Sequence, residues 1–484
     1  MASDFYIFDF AKKKTKNQNL PLVLEIEMLL TELSPLLNVK IGFLREIIKG
    51  IYCISSGGVT MKNISRWTSR GCSYRTIQRF FASPVDWLGM NMILFRTIVL
   101  GIPSGSRYVL AVDEVVEKKA GKKTWGVNWF YSSTAGKVIR SVSNHVISLV
   151  DTEKEYSFAL THQQTIKELP AKPKRKSKSR KKSKTKITKS KNKVKIAQKK
   201  KQLGRPKGSK NKQNVKKKGL LYESFEALLT LVVPLLILLC PNLKYVLADG
   251  AYGNKTCCLI VREFNLHLIS KLNRNTGLYL PYAGKYSGRG RPRTYGNKID
   301  YQKIPQQYLI SDKSEDGVQT KIYQIKSVWT KTMPYLINVV IITKTILTEN
   351  KTSRVVLFST DLELEAKQLI KFYSLRFQIE FNFRDAKQYF GLADFKNIKE
   401  QQVNNAVGLA LFMDNISLVL IEQAKTKWEE KDISIQDLKA YYRAEFYLEA
   451  ILNTLEVEPK AILNNHKFDH IRKIGAVNRQ KIAF

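Results

Sequence analysis

Tyr108-Val-Leu-Ala-Val112-Asp113 and Tyr245-Val-Leu-Ala248-Asp249 are near copies of each other. Each is an apolar, β-branched run that reads as a fully buried strand, and each ends in an aspartate. A carboxylate is costly inside a sheet, so such an acid belongs at the strand's edge. Taken singly, either Asp also suits a loop or a helix N-cap, and Asp249-Gly250 has turn chemistry. The pair gains meaning from the elements around it.

A third acid stands in Tyr373-Ser-Leu-Arg376-Phe-Gln-Ile-Glu380-Phe-Asn-Phe-Arg-Asp-Ala-Lys387. On a continuous helix, at about 100° per residue, Tyr373, Arg376, Glu380 and Lys387 share an arc of roughly 60°. Leu375, Ile379, Phe383 and Ala386 are left to pack on a core. An exposed helix with i,i+4 ion pairs reads the same residues without any chemistry. A carboxylate among cations is also what metal-assisted phosphodiester chemistry needs. The acid holds a divalent cation and the basic groups hold phosphate oxygens.

Around these runs the pattern predicts helices over Leu20–Leu37, Val39–Ile54, Val59–Trp67 and Ser73–Phe81. The last two, joined at Ser69-Arg70-Gly71, resemble a helix-turn-helix, with Arg66, Arg70, Arg75, Gln78 and Arg79 as candidate DNA contacts. Strands are predicted at Thr124–Tyr131, Val138–Leu149 and Leu266–Ser270, with helices over 222–239 and Asn254–Phe264. A strand-rich stretch follows, with Tyr301–Ile310, Lys321–Trp329 and Tyr335–Lys344, then Val355–Ser359. One long helix, Leu362–Tyr389, carries Glu380, and 401–425 and 433–455 read as two more. The apolar run Leu228–Cys240 is shorter than the ~20 residues that span a bilayer and contains Pro234, so it reads as a buried helix beside a sheet.

The 484 residues predict several domains, and 44% hydrophobic residues suffice to build them. The net charge of +41 points to a polyanion, with nucleic acid the first candidate. Of the 82 Lys and Arg, 24 lie in Lys172–Lys218, which has no acid; the remainder carries +17, that is 41 less 24. That segment has no aromatic residue and predicts disorder in the free chain. It contains Gly204-Arg205-Pro206-Lys207-Gly208, similar to an AT-hook core, and a second match follows at Arg289-Gly-Arg291-Pro-Arg293. Arg205 and Arg291 are therefore candidates for a narrow minor groove or for unspecific phosphate binding. The five cysteines show no metal spacing and read as reduced thiols of a cytosolic protein.

The order strand–Asp, hairpin strands, helix, strand–Asp, helix, strand, insertion, helix–Glu resembles DDE transposases of bacterial insertion sequences. The spacing Tyr-x2-Arg-x3-Glu-x6-Lys is similar to the subgroup with the Tyr-Arg-Glu-Lys signature. The resemblance implies an α/β fold. A ribonuclease H-like mixed sheet is flanked by helices, with a strand-rich insertion, a helical N-terminal domain and a disordered basic segment. It divides the chain into a helical, DNA-binding 1–104, a core first part 105–272 holding the basic 165–219, an insertion 273–353, a core second part 354–425 and a helical 426–484. Asp113, Asp249 and Glu380 would be catalytic and hold two Mg²⁺ ions, with Mn²⁺ as a substitute. Tyr373, Arg376 and Lys387 would grip phosphates, and Trp329 is the insertion tryptophan available to stack on a flipped base. Family members often place a second Asp after the first acid; here Glu114 stands there and points away from Asp113 by strand alternation. The implied partners are double-stranded DNA, as element ends and target, and a second copy in the synaptic complex, with no membrane. The implied site of action is the bacterial cytoplasm, on the nucleoid. A metal-dependent structure-specific nuclease of the same fold, or a catalytically silent DNA-binding relative, fits the same residues.

Overall fold

Four strands make the antiparallel half of the sheet: β1 (Tyr108–Lys118), β2 (Asn128–Ser132), β3 (Lys137–Asp151) and β4 (Ser157–Gln164). β1 pairs with β3 from Tyr108↔Asp151 to Lys118↔Ser141. β2 and β4 lie end to end along the other side of β3. On its other edge β1 pairs parallel with β5 (Tyr245–Ala248), and β5 pairs parallel with β6 (His267–Leu272). The sheet continues as β12 (Lys351–Ser359), β11 (Ile337–Ile346) and β10 (Val318–Thr330), all antiparallel. β7 (Leu278–Pro281), β8 (Tyr295–Lys298) and β9 (Leu309–Glu315) complete twelve strands in one mixed sheet. The computed structural model describes residues 41–68, 72–99, 108–167, 219–455 and 469–477, apart from 287, 289, 350 and 473. Leu20–Leu37, Arg70, the basic segment with Arg205, and Arg289 lie outside the described residues.

The N-terminal helices are α1 (Ile41–Cys53), α2 (Met61–Ile64), α3 (Tyr74–Ala82) and α4 (Trp87–Val99). α5 (Leu220–Leu239) and α6 (Lys255–Glu263) follow the basic segment. The predicted helix Leu362–Tyr389 is two helices, α7 (Ala366–Leu375) and α8 (Gln378–Tyr389). α9 (Glu400–Trp428), α10 (Ile435–Thr454) and the short α11 (Asp469–Arg472) close the chain. α8 lies across β1, β3 and β4, and α7 across β5, β6, β11 and β12.

α9 is the column to which distant segments are tied, and its buried amides do the tying. Asn405 accepts from Trp87 Nε1 at 3.0 Å and donates to the carbonyls of Phe81 and Ser83 at 2.9 and 2.6 Å. Asn415 bonds both backbone groups of Ala159 in β4, at 3.0 and 2.6 Å, and donates to Asn91 of α4 at 2.8 Å. A buried amide with partners missing costs about 1–3 kcal/mol, so these side chains fix the docking of α3 and α4 as well as stabilise it.

Tyr301–Ile310 and the burial of the predicted helix over 222–239 differ from expectation. Tyr301–Ile310 is a turn and a short 3₁₀ segment rather than a strand, because Pro305 lacks the donor that a ladder needs. The strand begins only at Leu309 and forms a hairpin with β10 through Asp316-Gly317, both at positive φ (49° and 74°). α5 runs as a full 20-residue helix through Pro234. By length and composition it and α9 both suffice to cross a membrane. Their apolar windows are 39% and 83% buried, and α9 is plainly a core helix.

Trp87 packs so closely on α9 that a Cβ at Gly408 would lie 2.4 Å from its Cδ1. The ring is fixed by its bond to Asn405 and has little room to retreat. Gly408→Ala is therefore expected to destabilise the protein by about 1–3 kcal/mol. An unchanged thermal midpoint would contradict this packing.

Candidate active site

Asp113 is the sixth residue of β1, opposite Val146 of β3. Val112 is level with Ala248 on the parallel neighbour, so Asp249, the first residue past β5, comes out beside Asp113. Two bonds shape the turn that holds Asp249. Its Oδ1 accepts from the Ala251 amide at 2.8 Å, and Ser270 Oγ donates to its carbonyl at 2.6 Å. Tyr252, three residues after Asp249, is buried and bonds His145 Nδ1 of β3 at 2.7 Å. Glu114 points to the opposite face from Asp113, as alternation requires, and accepts from Ser143 Oγ.

Glu380 sits in the first turn of α8, directly after the break from α7. Across the break the backbone bonds tighten to i→i−3: Arg376 to Tyr373 at 3.3 Å, Phe377 to Ser374 at 3.1 Å, and Glu380 to Phe377 at 3.0 Å. This corrects the single straight ridge expected for Tyr373, Arg376, Glu380 and Lys387. Arg376, at the break, bridges two acids. Its Nη1 is 2.7 Å from Asp113 Oδ2 and its Nη2 is 2.9 Å from Glu380 Oε1. Tyr373 is half-buried beside it, its ring centroid 6.0 Å from the guanidinium carbon. Lys387 is engaged elsewhere, 2.7 Å from the buried carboxylate of Glu117.

Burial pushes the Asp113 carboxyl up to about 6. Arg376 and the Glu114 amide oppose the rise, while Asp249 and Glu380 add to it. The cluster thus has more negative charge than Arg376 balances. Its donors are all carboxylate oxygen, the set that a hard divalent cation prefers. In their present positions no three His, Cys, Asp or Glu side chains among the described residues converge closely enough to hold one metal ion. Arg376 occupies the space between two of the three acids.

Of the remaining predicted site residues, Arg66, Arg75, Gln78 and Arg79 are exposed, with Ile77, Phe80 and Phe81 of α3 turned to the core. Ser73 caps α3 as predicted, accepting from the Thr76 amide at 3.3 Å. Arg291 is exposed in the β7–β8 loop. No contact joins these residues to the acids among the described residues. Trp329 is half-buried opposite Tyr279, with its ring edge-on to Tyr295 at 6.2 Å. Sequence reasoning passes over Glu117 and His145. Glu117 had a signal, since it stands four residues after Asp113 and shares its strand face. His145 had none that a single sequence shows.

The shift on Asp113 makes a pH prediction. The folded state holds this proton more tightly than the unfolded chain. Its favourable contribution is full below about pH 4 and is lost as pH rises through 6. At pH 7 the ionised, buried carboxylate therefore opposes folding, by at most about 3 kcal/mol, from 1.36 kcal/mol per pKa unit. In chelator-containing buffer Asp113→Asn should melt above wild type at pH 7.5, and the gap should close toward pH 4. A gap independent of pH would refute the assignment.

Residues 50–327 match a family model described as DDE superfamily endonuclease. The span includes Asp113 and Asp249 and stops short of Glu380. No curated protein matches the chain. A solved structure to which it is similar is a cryo-EM structure of a piggyBac transposase synaptic complex with hairpin DNA. The alignment has 9% identity and a TM-score of 0.34, and covers 98% of this chain and 81% of that one. With more than half of its residues in the family match, the chain belongs to the DDE endonuclease superfamily.

Proposed function

We propose that this protein is a transposase that binds the ends of a bacterial insertion sequence and catalyses DNA strand cleavage and strand transfer. The observation that carries the reading is that Arg376 bridges Asp113 and Glu380, with Asp249 close enough to Asp113 to act on its charge. The strand arrangement supports a ribonuclease H-like core. An antiparallel group, β2 and β4 beside β3 and then β1, is continued by two parallel strands, β5 and β6. The Tyr373-Arg376-Glu380-Lys387 spacing supports the Tyr-Arg-Glu-Lys subgroup.

Asp113, Asp249 and Glu380 are the residues that would hold divalent metal, Mg²⁺ in this reading. Bound there, such ions would supply activation of an attacking oxygen and stabilisation of the leaving 3′-oxygen. The chain's own groups do the rest. Arg376 bridges Asp113 and Glu380. A DNA phosphate offers its guanidinium an equivalent bidentate partner, and turning toward it frees both acids. Tyr373 flanks Arg376, its ring centroid 6.0 Å from the guanidinium carbon. Lys387, paired with Glu117, fixes the far end of α8 and lies near enough to the sheet face to reach a neighbouring phosphate. The exposed Arg66, Arg75, Gln78 and Arg79 suit an N-terminal DNA grip, and Arg291 a contact from the insertion. Work on two DNA ends calls for a second copy of the chain, and the reading places it in the cytoplasm.

Asp113→Asn, Asp249→Asn and Glu380→Gln should each abolish Mg²⁺-dependent cleavage of DNA carrying the element's ends, with band-shift affinity for the same DNA retained. Full cleavage by any one of them would sink the assignment. Cleavage by wild type without joined product would favour the structure-specific nuclease instead.

A further inference from the structure

β2 turns two large rings to solvent. Trp129 is 61% and Tyr131 63% exposed, with Val138 of β3 at 55% beside them. Trp129 is opposite Arg140 and Tyr131 opposite Val138. On the next pair of strands Glu117 is opposite Val142, and Asp113 opposite Val146. Directly opposed residues share a face, and so do residues two apart. The two rings, Arg140, Glu117 and Asp113 therefore look out of the same side of the sheet. α8 covers the stretch between them and is pinned there by Lys387 on Glu117. Arg140 lies six residues along β3 from the level of Asp113, roughly 20 Å at 3.4 Å per residue.

The platform is rigid and basic. Between the rings, Phe130 is buried on the opposite face, with Lys167 Nζ 4.0 Å from its centroid and 2.5 Å from the Trp129 carbonyl. From Lys118 to Arg140 the sequence holds six Lys and Arg and no acid. Lys122 and Lys123 are exposed in the β1–β2 loop and Arg140 is on the ring face, whereas Lys118 and Lys137 are on the opposite face by alternation. A protein partner burying the rings would have to desolvate Arg140 and the neighbouring loop lysines, whereas a nucleic-acid strand pairs them with phosphates and stacks on the rings. A paired duplex offers phosphates and base edges but no free base face along its length, because its bases are stacked on one another. The occupant that uses both features is a DNA strand with unpaired bases.

We propose that Trp129 and Tyr131 form a base-stacking platform for unpaired DNA flanking the phosphate held at Asp113. This deepens the preceding reading and rests on it for DNA as the substrate.

Fluorescence anisotropy of the full-length protein tests it, with blunt duplex and with the same duplex bearing a short single-stranded flank. Trp129→Ala/Tyr131→Ala should lose about tenfold or more in affinity for the flanked DNA, since stacking is worth ~1–3 kcal/mol per base. Its affinity for blunt duplex should stay within about twofold, less than 0.5 kcal/mol. Trp129→Phe/Tyr131→Phe should recover most of the loss. Equal effects on both DNAs, or none on either, overturn the platform while leaving duplex binding and the transposase reading intact. A change in mass by light scattering without a change in DNA affinity assigns the face to a second copy and also overturns it. A wild type that binds neither DNA contradicts both readings.

Discussion

The arrangement depends on one guanidinium. Three carboxylates at the edge of a buried sheet repel one another in a medium that screens charge weakly, and a fold that gathers them must supply a cation. Arg376 supplies it, with a bond of 2.7 Å to Asp113 and 2.9 Å to Glu380. Arg376 reaches both from the α7–α8 break. The tightened turns around Arg376 and Phe377 are thus the backbone consequence of an electrostatic requirement. Removing Arg376 would cost about 3–5 kcal/mol, because the carboxylates it bridges would be left uncompensated, whereas loss of Asp113 leaves Arg376 paired with Glu380. The same arrangement makes the site responsive, since any ligand that offers Arg376 a better anion, or the acids a better cation, rearranges it.

The remainder of the molecule holds this cluster in place. Asn382 of α8 donates to the Ser157 carbonyl at 2.9 Å and to Asp414 of α9 at 2.8 Å, locking the Glu380 helix between β4 and α9. Asp414 is fully buried, and that burial drives its carboxyl well above the usual range. Asn405 and Asn415 extend the same fastening to the N-terminal helices. On the far side of the sheet, His145 and Tyr252 secure the turn that presents Asp249. Apolar burial supplies the bulk of the stability, while these polar ties set the register in which the acids meet.

Much of this is legible in the sequence where a local rule and the tertiary structure agree. The two strand–Asp runs are apolar throughout and have no other stable place than a sheet core. The i,i+4 pair Arg376–Glu380 follows from spacing alone. The helix break does not, because Leu375-Arg-Phe-Gln378 contains only acceptable helix formers and the distortion comes from contacts with β1. β4 is missed for a related reason. Ser157-Phe-Ala-Leu-Thr-His-Gln-Gln164 has no clean alternation, and its first four residues are buried because α4, α8 and α9 all cover it. The Asp316-Gly317 hairpin signal is present, but Pro305 and a polar β9 obscure the strands on either side.

The most direct test is a crystal of the protein bound to end DNA and soaked in Mn²⁺, with an anomalous difference map. The account predicts Mn²⁺ density among Asp113, Asp249 and Glu380, with the Arg376 guanidinium turned from both acids to a DNA phosphate. Mn²⁺ absent from that cluster, with Arg376 still bonded to Asp113 and Glu380 in the DNA complex, would contradict it.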